Sequence, residues 1–124
     1  MNTFNRSVPV YLQVIELFYI WIVSGQLNPG DQIPPVRKLA VDWGVNPNTV
    51  QKSLHQLELD GVSVGQVGRG RFVTTDSEKL NEIKNYVLQK EIDTFLDKMK
   101  KYNIENQAVI EYLQNRMKDG DYYA

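Results

Sequence analysis

Three clusters of side chains in the first 75 residues carry the polar chemistry of this sequence. Arg37 and Lys38 stand together, Asn46, Asn48, Thr49, Gln51 and Lys52 crowd into one short stretch, and Gly68-Arg69-Gly70-Arg71 alternates glycine with arginine. These residue types bind; they do not react. A guanidinium can grip guanine O6 and N7 together, a carboxamide can do the same with adenine N6 and N7, and a threonine methyl can pack on that of thymine. A Gly-Arg tip lets the backbone come close to a phosphate chain or a minor groove while it brings positive charge. Each cluster also has a plainer use. Arg37 can pair with Asp31 or Asp42 on the surface, which is worth little. Lys38 suits a solvated face as well as a phosphate. Asn46 can serve as a helix cap alone, a polar run at a helix start is commonly just solvated, and a GRG triplet by itself is a turn. Lys52 is a phosphate candidate, with Arg6 a weaker one.

Other chemistries are poorly supplied. The 124 residues contain no cysteine and one histidine, His55. Disulfides, a thiolate nucleophile and a cysteine-based zinc site are therefore excluded. There is no Walker loop, no metal-ligand spacing and no pair of carboxylates with a supporting base. Asp93 and Asp97 flank an apolar seam and read as solvated charges. The expectation is a protein that is not an enzyme and needs no cofactor. The longest apolar run, Leu17 to Val23, is far short of the roughly 18 residues that span a bilayer. The start, MNTFNRS, has no signal-peptide pattern. Hydrophobic residues make up 42% and charged residues 23%, as in ordinary globular domains. A cytoplasmic protein with no membrane partner is expected. The net charge of −1 argues mildly against nucleic acid. It is unevenly spread, however: residues 1–75 hold six basic and five acidic side chains, and the rest hold eight and ten.

The surrounding pattern supplies elements to position the clusters. A first helix is expected over about Val8 to Ser24, with Ser7 as cap and Pro9 in the first turn. It is apolar nearly all round, so burial on more than one side is expected. After a turn-rich GQLNPGDQIPP stretch, Val36, Leu39, Ala40 and Trp43 fall on one face of a short helix from about Pro35, which Gly44 ends. Asn46 and Pro47 open a third helix that runs to about Asp60, with Val50, Leu54 and Leu57 inward. Two short β-stretches around GQVGRG read as a hairpin. A helix-turn-helix followed by a small hairpin is a winged helix. Ser77 is expected to cap a long helix to about Tyr102, with Leu88, Ile92, Phe95, Met99 and Tyr102 at near-heptad spacing. Ile104 suits a hydrophobic staple for a last helix over about Glu105 to Lys118.

In this order and spacing, the motifs over residues 9–73 resemble the DNA-binding domain of the GntR family of bacterial transcription regulators. They are PVYLQV, SGQLNPGDQIPPVRKLAVDWGVNPNTVQKSLHQLELDGV and GRGRFV. The two helices after the wing are similar to the YtrA subfamily, whose short C-terminal helices serve dimerisation. Pro35 departs from the family's usual Ser or Ala, and Phe18-Tyr19-Ile20-Trp21 is bulkier than usual; neither touches the DNA-reading positions.

The resemblance implies a mainly α protein with one small β-hairpin. Residues 8–75 would form a winged helix-turn-helix DNA-binding domain, and residues 76–124 a C-terminal two-helix dimerisation segment. It implies that Arg37, Lys38, Asn46, Asn48, Thr49, Gln51, Lys52, Gly68, Arg69, Gly70 and Arg71 contact double-stranded DNA. It also implies a homodimeric repressor on a pseudo-palindromic operator, controlling a nearby transporter operon. The seam from Leu88 to Tyr102 is either the dimer contact or the packing surface of the last helix, and both can hold in different parts. Any effector, expected to be small or amphipathic, would bind at the interface or between the domains. The rival reading is a winged helix turned to protein contacts without DNA binding, for which the near-neutral charge speaks.

Overall fold

The computed structural model describes residues 4–119. The element order is α1 (Val10–Val23), α2 (Val36–Trp43), α3 (Pro47–Leu59), β1 (Ser63–Gln66), β2 (Gly70–Val73), α4 (Ser77–Lys101) and α5 (Asn106–Asp119). This is the mainly helical winged helix-turn-helix with one hairpin that the sequence pattern predicts. The chain forms two compact units, one ending at Val87 and the other beginning at Leu88, so α4 contributes to both.

The first unit is built on α3, which packs on α1, α2 and β1. Val50, Leu54 and Leu57 project from it into a core with Val14 and Phe18 of α1 and Leu39 and Trp43 of α2. Phe18 meets Trp43 edge-on at 5.0 Å between ring centroids, and Trp43 meets Trp21 at the same distance. Ser53 is the polar member of this buried face. Its one hydroxyl hydrogen is shared between the Tyr11 carbonyl at 2.8 Å and the Thr49 carbonyl at 3.0 Å, so burial leaves it satisfied. Ile83 of α4 closes the same core. The outer side of α1 is less covered: Leu12, Ile20 and Val23 stay exposed.

Two expected caps are placed differently. Ser7 does not cap α1; the N-cap is Pro9, with no side-chain bond. The Ser7 hydroxyl instead donates to Asn5 Oδ1, and Gln13 reaches back to the Asn5 and Val8 carbonyls. A glutamine one turn into the helix thus organises the lead-in turn, leaving Ser7 outside the capping position. Ser77 is the first residue of α4, and Asp76 is the cap: its Oδ1 accepts the Glu78 amide hydrogen at 3.0 Å. Both residue types can cap; Asp76, whose own amide donates to the Thr74 hydroxyl at 3.1 Å, is the one held at the helix start.

The hairpin pairs Ser63 with Val73, Val64 with Phe72, Gly65 with Arg71 and Gln66 with Gly70, antiparallel. Residues 30–33 run alongside β2 and donate from Gly30 to the Val73 carbonyl and from Ile33 to the Arg71 carbonyl. In return the Val73 amide donates to the Asp31 carbonyl. The segment before α2 is therefore fastened along the base of the two-stranded wing, with a single bridge between Gln32 and Phe72.

In the second unit Asn103, at φ 58°, turns the chain between α4 and α5. The Ile104 amide closes the turn by donating to the Met99 carbonyl at 2.9 Å. Phe95 and Met99 line an apolar groove of about 470 Å³ with Ile104, Val109, Tyr112 and Leu113. Leu88, Ile92 and Tyr102 do not line it and are exposed. Among the described residues no helix is long and apolar enough to cross a membrane.

Candidate nucleic-acid interface

The turn between α2 and α3 sets where the polar cluster of α3 points. Gly44 ends α2 in the left-handed region at φ 66°, where a side chain would be strained. Asn46 then caps α3: its Oδ1 accepts the Asn48 amide hydrogen at 2.8 Å, and Pro47 takes the first helical position, whose amide has no helical partner anyway. With Val50, Ser53, Leu54 and Leu57 committed to the core, Asn48 and Gln51 fall on the outer face and are exposed, and Thr49 is half-buried. Asn48, Thr49 and Lys52 share a shallow groove with Val10 and Tyr11 from the start of α1. Lys52 Nζ lies 4.0 Å from the Tyr11 ring centroid, a cation–π distance that steadies a long side chain at the groove edge.

Arg37 lies in the first turn of α2 and is exposed. The two acids that could have neutralised it are otherwise engaged. Asp42 takes Lys38 at 2.9 Å across one helical turn, and Asp31 accepts the Asn28 amide hydrogen at 2.8 Å. Among the described residues Arg37 has no ion-pair partner. The Lys38–Asp42 contact is exposed and of the kind worth about 0.3–0.5 kcal/mol.

The wing is gripped on both sides. At its tip Gly68 adopts φ 73° and the Arg69 amide donates to the Gln66 carbonyl, which closes the turn. Arg69 is exposed and has no acidic partner among the described residues. Arg71 is half-buried and points its Nε toward Glu58 Oε1 of α3 at 3.8 Å. Gly68, Gly70 and Arg71 line an open groove of about 760 Å³ with Glu58, Leu54 and the Gln32–Pro35 segment. The structure thus brings Asn48, Thr49 and Lys52 to one groove and Gly68, Gly70 and Arg71 to another. Arg37, Lys38, Asn46, Gln51 and Arg69 line neither. Three residues that hold the clusters in place are absent from the sequence-based set: Tyr11, Glu58 and Gln32. Tyr11 lies in the P-x-Y motif, but a tyrosine there carries no sign of a lysine above it. Gln32 and Glu58 act across folded contacts that no local spacing announces.

No group of three or more His, Asp or Glu side chains among the described residues is arranged to hold a metal ion.

Comparison with known proteins gives a consistent result. Residues 10–73 match the family described as bacterial regulatory proteins, gntR family. The chain is 29% identical over 119 residues, 96% of its length and 98% of the relative's, to the uncharacterized HTH-type transcriptional regulator YhcF of Bacillus subtilis (strain 168). It is 34% identical over 95 residues to the HTH-type transcriptional repressor YtrA of the same organism, covering 72% of this chain and 73% of YtrA. Its structure superposes on that of a GntR family transcriptional regulator from Listeria monocytogenes with a TM-score of 0.77 and 28% identity, over 90% of this chain and 98% of that one. The DNA-binding domain of AraR, solved in complex with operator ORX1, matches 60% of this chain and 90% of its own length at 29% identity and a TM-score of 0.51.

Proposed function

The chain belongs to the gntR family of bacterial regulatory proteins, and from that premise we propose that it is a homodimeric, sequence-specific DNA-binding repressor of the short YtrA-like type. The observation that carries the reading is the combination of unpaired arginines with a solvent-facing polar helix start. Arg37 and Arg69 have no acidic partner among the described residues, and Asn48 and Gln51 face outward from the first turns of α3.

In this reading α3 enters the major groove, where its N-terminal residues meet base edges. Asn48 and Gln51 address adenine edges, Thr49 packs on a thymine methyl, and Arg37 grips a guanine or a phosphate. Asn46 acts first as a cap. Lys52, held by Tyr11, neutralises a phosphate. Arg69 and the glycines beside it lie on the adjacent minor groove or backbone. Arg71 contributes mainly by joining the wing to α3. Two such units, related by a two-fold axis, read a pseudo-palindromic operator. Dimerisation runs through the seam of Leu88, Ile92, Phe95, Met99 and Tyr102, whose members Leu88, Ile92 and Tyr102 are exposed outside the groove shared with α5. The YtrA likeness supports control of a nearby transporter operon by a cytoplasmic protein. The protein carries no catalytic activity and no cofactor, and any effector is a small or amphipathic molecule bound at an interface.

The test is binding of the purified protein to its own promoter region against a scrambled duplex, across a salt series. A specificity ratio of about 10³ or more, at two chains per site, is the expected result. Replacing Arg37 by Ala should cost about 1–3 kcal/mol of operator binding, while Arg69→Ala weakens all sequences alike. Unchanged binding by both variants would overturn this assignment of the reading surface. Equal, weak binding of the wild type to both duplexes would favour a winged helix turned to protein contacts.

A further inference from the structure

The wing tip is held from outside the hairpin by one side chain. Gln32 Nε2 donates to the Arg69 carbonyl at 2.9 Å. The bond spans 37 positions in the chain and fastens the tip to the loop that precedes α2. The backbone of Gln32 is bridged to Phe72 of β2, so the amide is delivered from a fixed base. It reaches the carbonyl through space that Gly70 leaves open: a Cβ at position 70 would stand 2.8 Å from Gln32 Nε2. Gly65 makes the same allowance on the other strand, where a Cβ would stand 2.8 Å from Glu58 Oε1, the atom facing Arg71. Two glycines thus admit two side chains of the body, one on each strand.

We propose that Gln32 is the positioning residue of the wing. By holding the Arg69 carbonyl it fixes the backbone of the tip from which the Arg69 side chain reaches DNA. A free three-residue tip would spend conformational entropy on binding, and a tip fastened beforehand does not. The inference rests on the DNA-binding reading above for its consequence, and on the hydrogen bond alone for its structural content.

The experiment uses the full chain with Gln32→Met, which keeps the length and removes the donor, alone and combined with Arg69→Ala. In the free protein, the heteronuclear NOE of the Gly68, Arg69 and Gly70 amides should fall in Gln32→Met and leave α3 unchanged. On the operator, Gln32→Met should weaken binding about two- to tenfold and lower the salt slope toward that of Arg69→Ala. In the Arg69→Ala background it should add nothing. An unchanged NOE at the wing overturns the proposal whatever DNA does. A loosened wing whose binding effect adds fully to that of Arg69→Ala overturns it too, because Gln32 then acts elsewhere. Loss of all sequence-specific binding by the wild type would instead sink the functional reading, and the wing NOE would still decide whether Gln32 holds the tip.

Discussion

Asn46 accepts the Asn48 amide hydrogen at 2.8 Å, so Asn46→Ala removes a helix cap and should destabilise the protein by about 1 kcal/mol. Thermal unfolding would show this as a Tm lower by a few degrees, and Asn46→Ser should restore it. If Asn46→Ser also restores operator affinity, capping is the whole of this residue's contribution. Tyr19 offers a second measurement. Burial first, then the negative charge of Asp60 and the neighbouring Tyr86, push its phenol above the ordinary value of 10.0. The folded state therefore holds the proton more tightly than the unfolded chain. Its contribution to stability is complete below pH 10 and is lost as pH rises through the raised value. Denaturant titrations above pH 10 should show stability declining, and Tyr19→Phe should flatten part of that decline. The placement of the polar clusters was legible, because Asn46-Pro47 announces a helix start and Gly68-Arg69-Gly70 a turn, and the structure has both. What holds those residues was not. Lys52 over Tyr11, and Gln32 on the Arg69 carbonyl, depend on groups 41 and 37 positions apart meeting after folding.

At the scale of elements, helix ends separate what a sequence can reveal from what it cannot. Gly44 and Asn46-Pro47 mark the turn between α2 and α3 without ambiguity, since one must adopt a left-handed backbone and the others cap and start a helix. The entry to α4 offers two adjacent capping residues, and the hydrogen bond from the Asp76 amide to the Thr74 hydroxyl, which marks the one used, forms only in the folded turn. The cap at Asp76 gives a sharp expectation. Asp76→Ala should cost about 0.5–2 kcal/mol in chemical denaturation, whereas a Ser77→Ala change should fall within about 0.5 kcal/mol of wild type. The reverse order of effects would move the start of the helix by one residue. The entry to α1 shows the same limit. Nothing in the order of Asn5, Ser7 and Gln13 foretells that the glutamine would gather the lead-in turn in place of a serine cap.

For the whole molecule, the seam on α4 divides by position. Phe95 and Met99 line the groove shared with α5, while Ile92 is exposed outside it. Ile92→Glu should therefore leave the fold of the second unit intact and break a two-fold contact. Sedimentation should report a monomer, and operator affinity should fall about a hundredfold or more, because two half-sites are no longer engaged together. A dimeric Ile92→Glu protein would place the contact elsewhere. The aromatic cluster of the first unit has an optical consequence. Both tryptophans of the chain, Trp21 and Trp43, belong to that cluster, 5.0 Å apart. Intrinsic tryptophan emission is accordingly a private signal of the N-terminal unit, silent to the melting of α5. Far-UV ellipticity, by contrast, sums over every helix. Following both through one thermal ramp would tell whether the two units melt together or in sequence, with no label introduced.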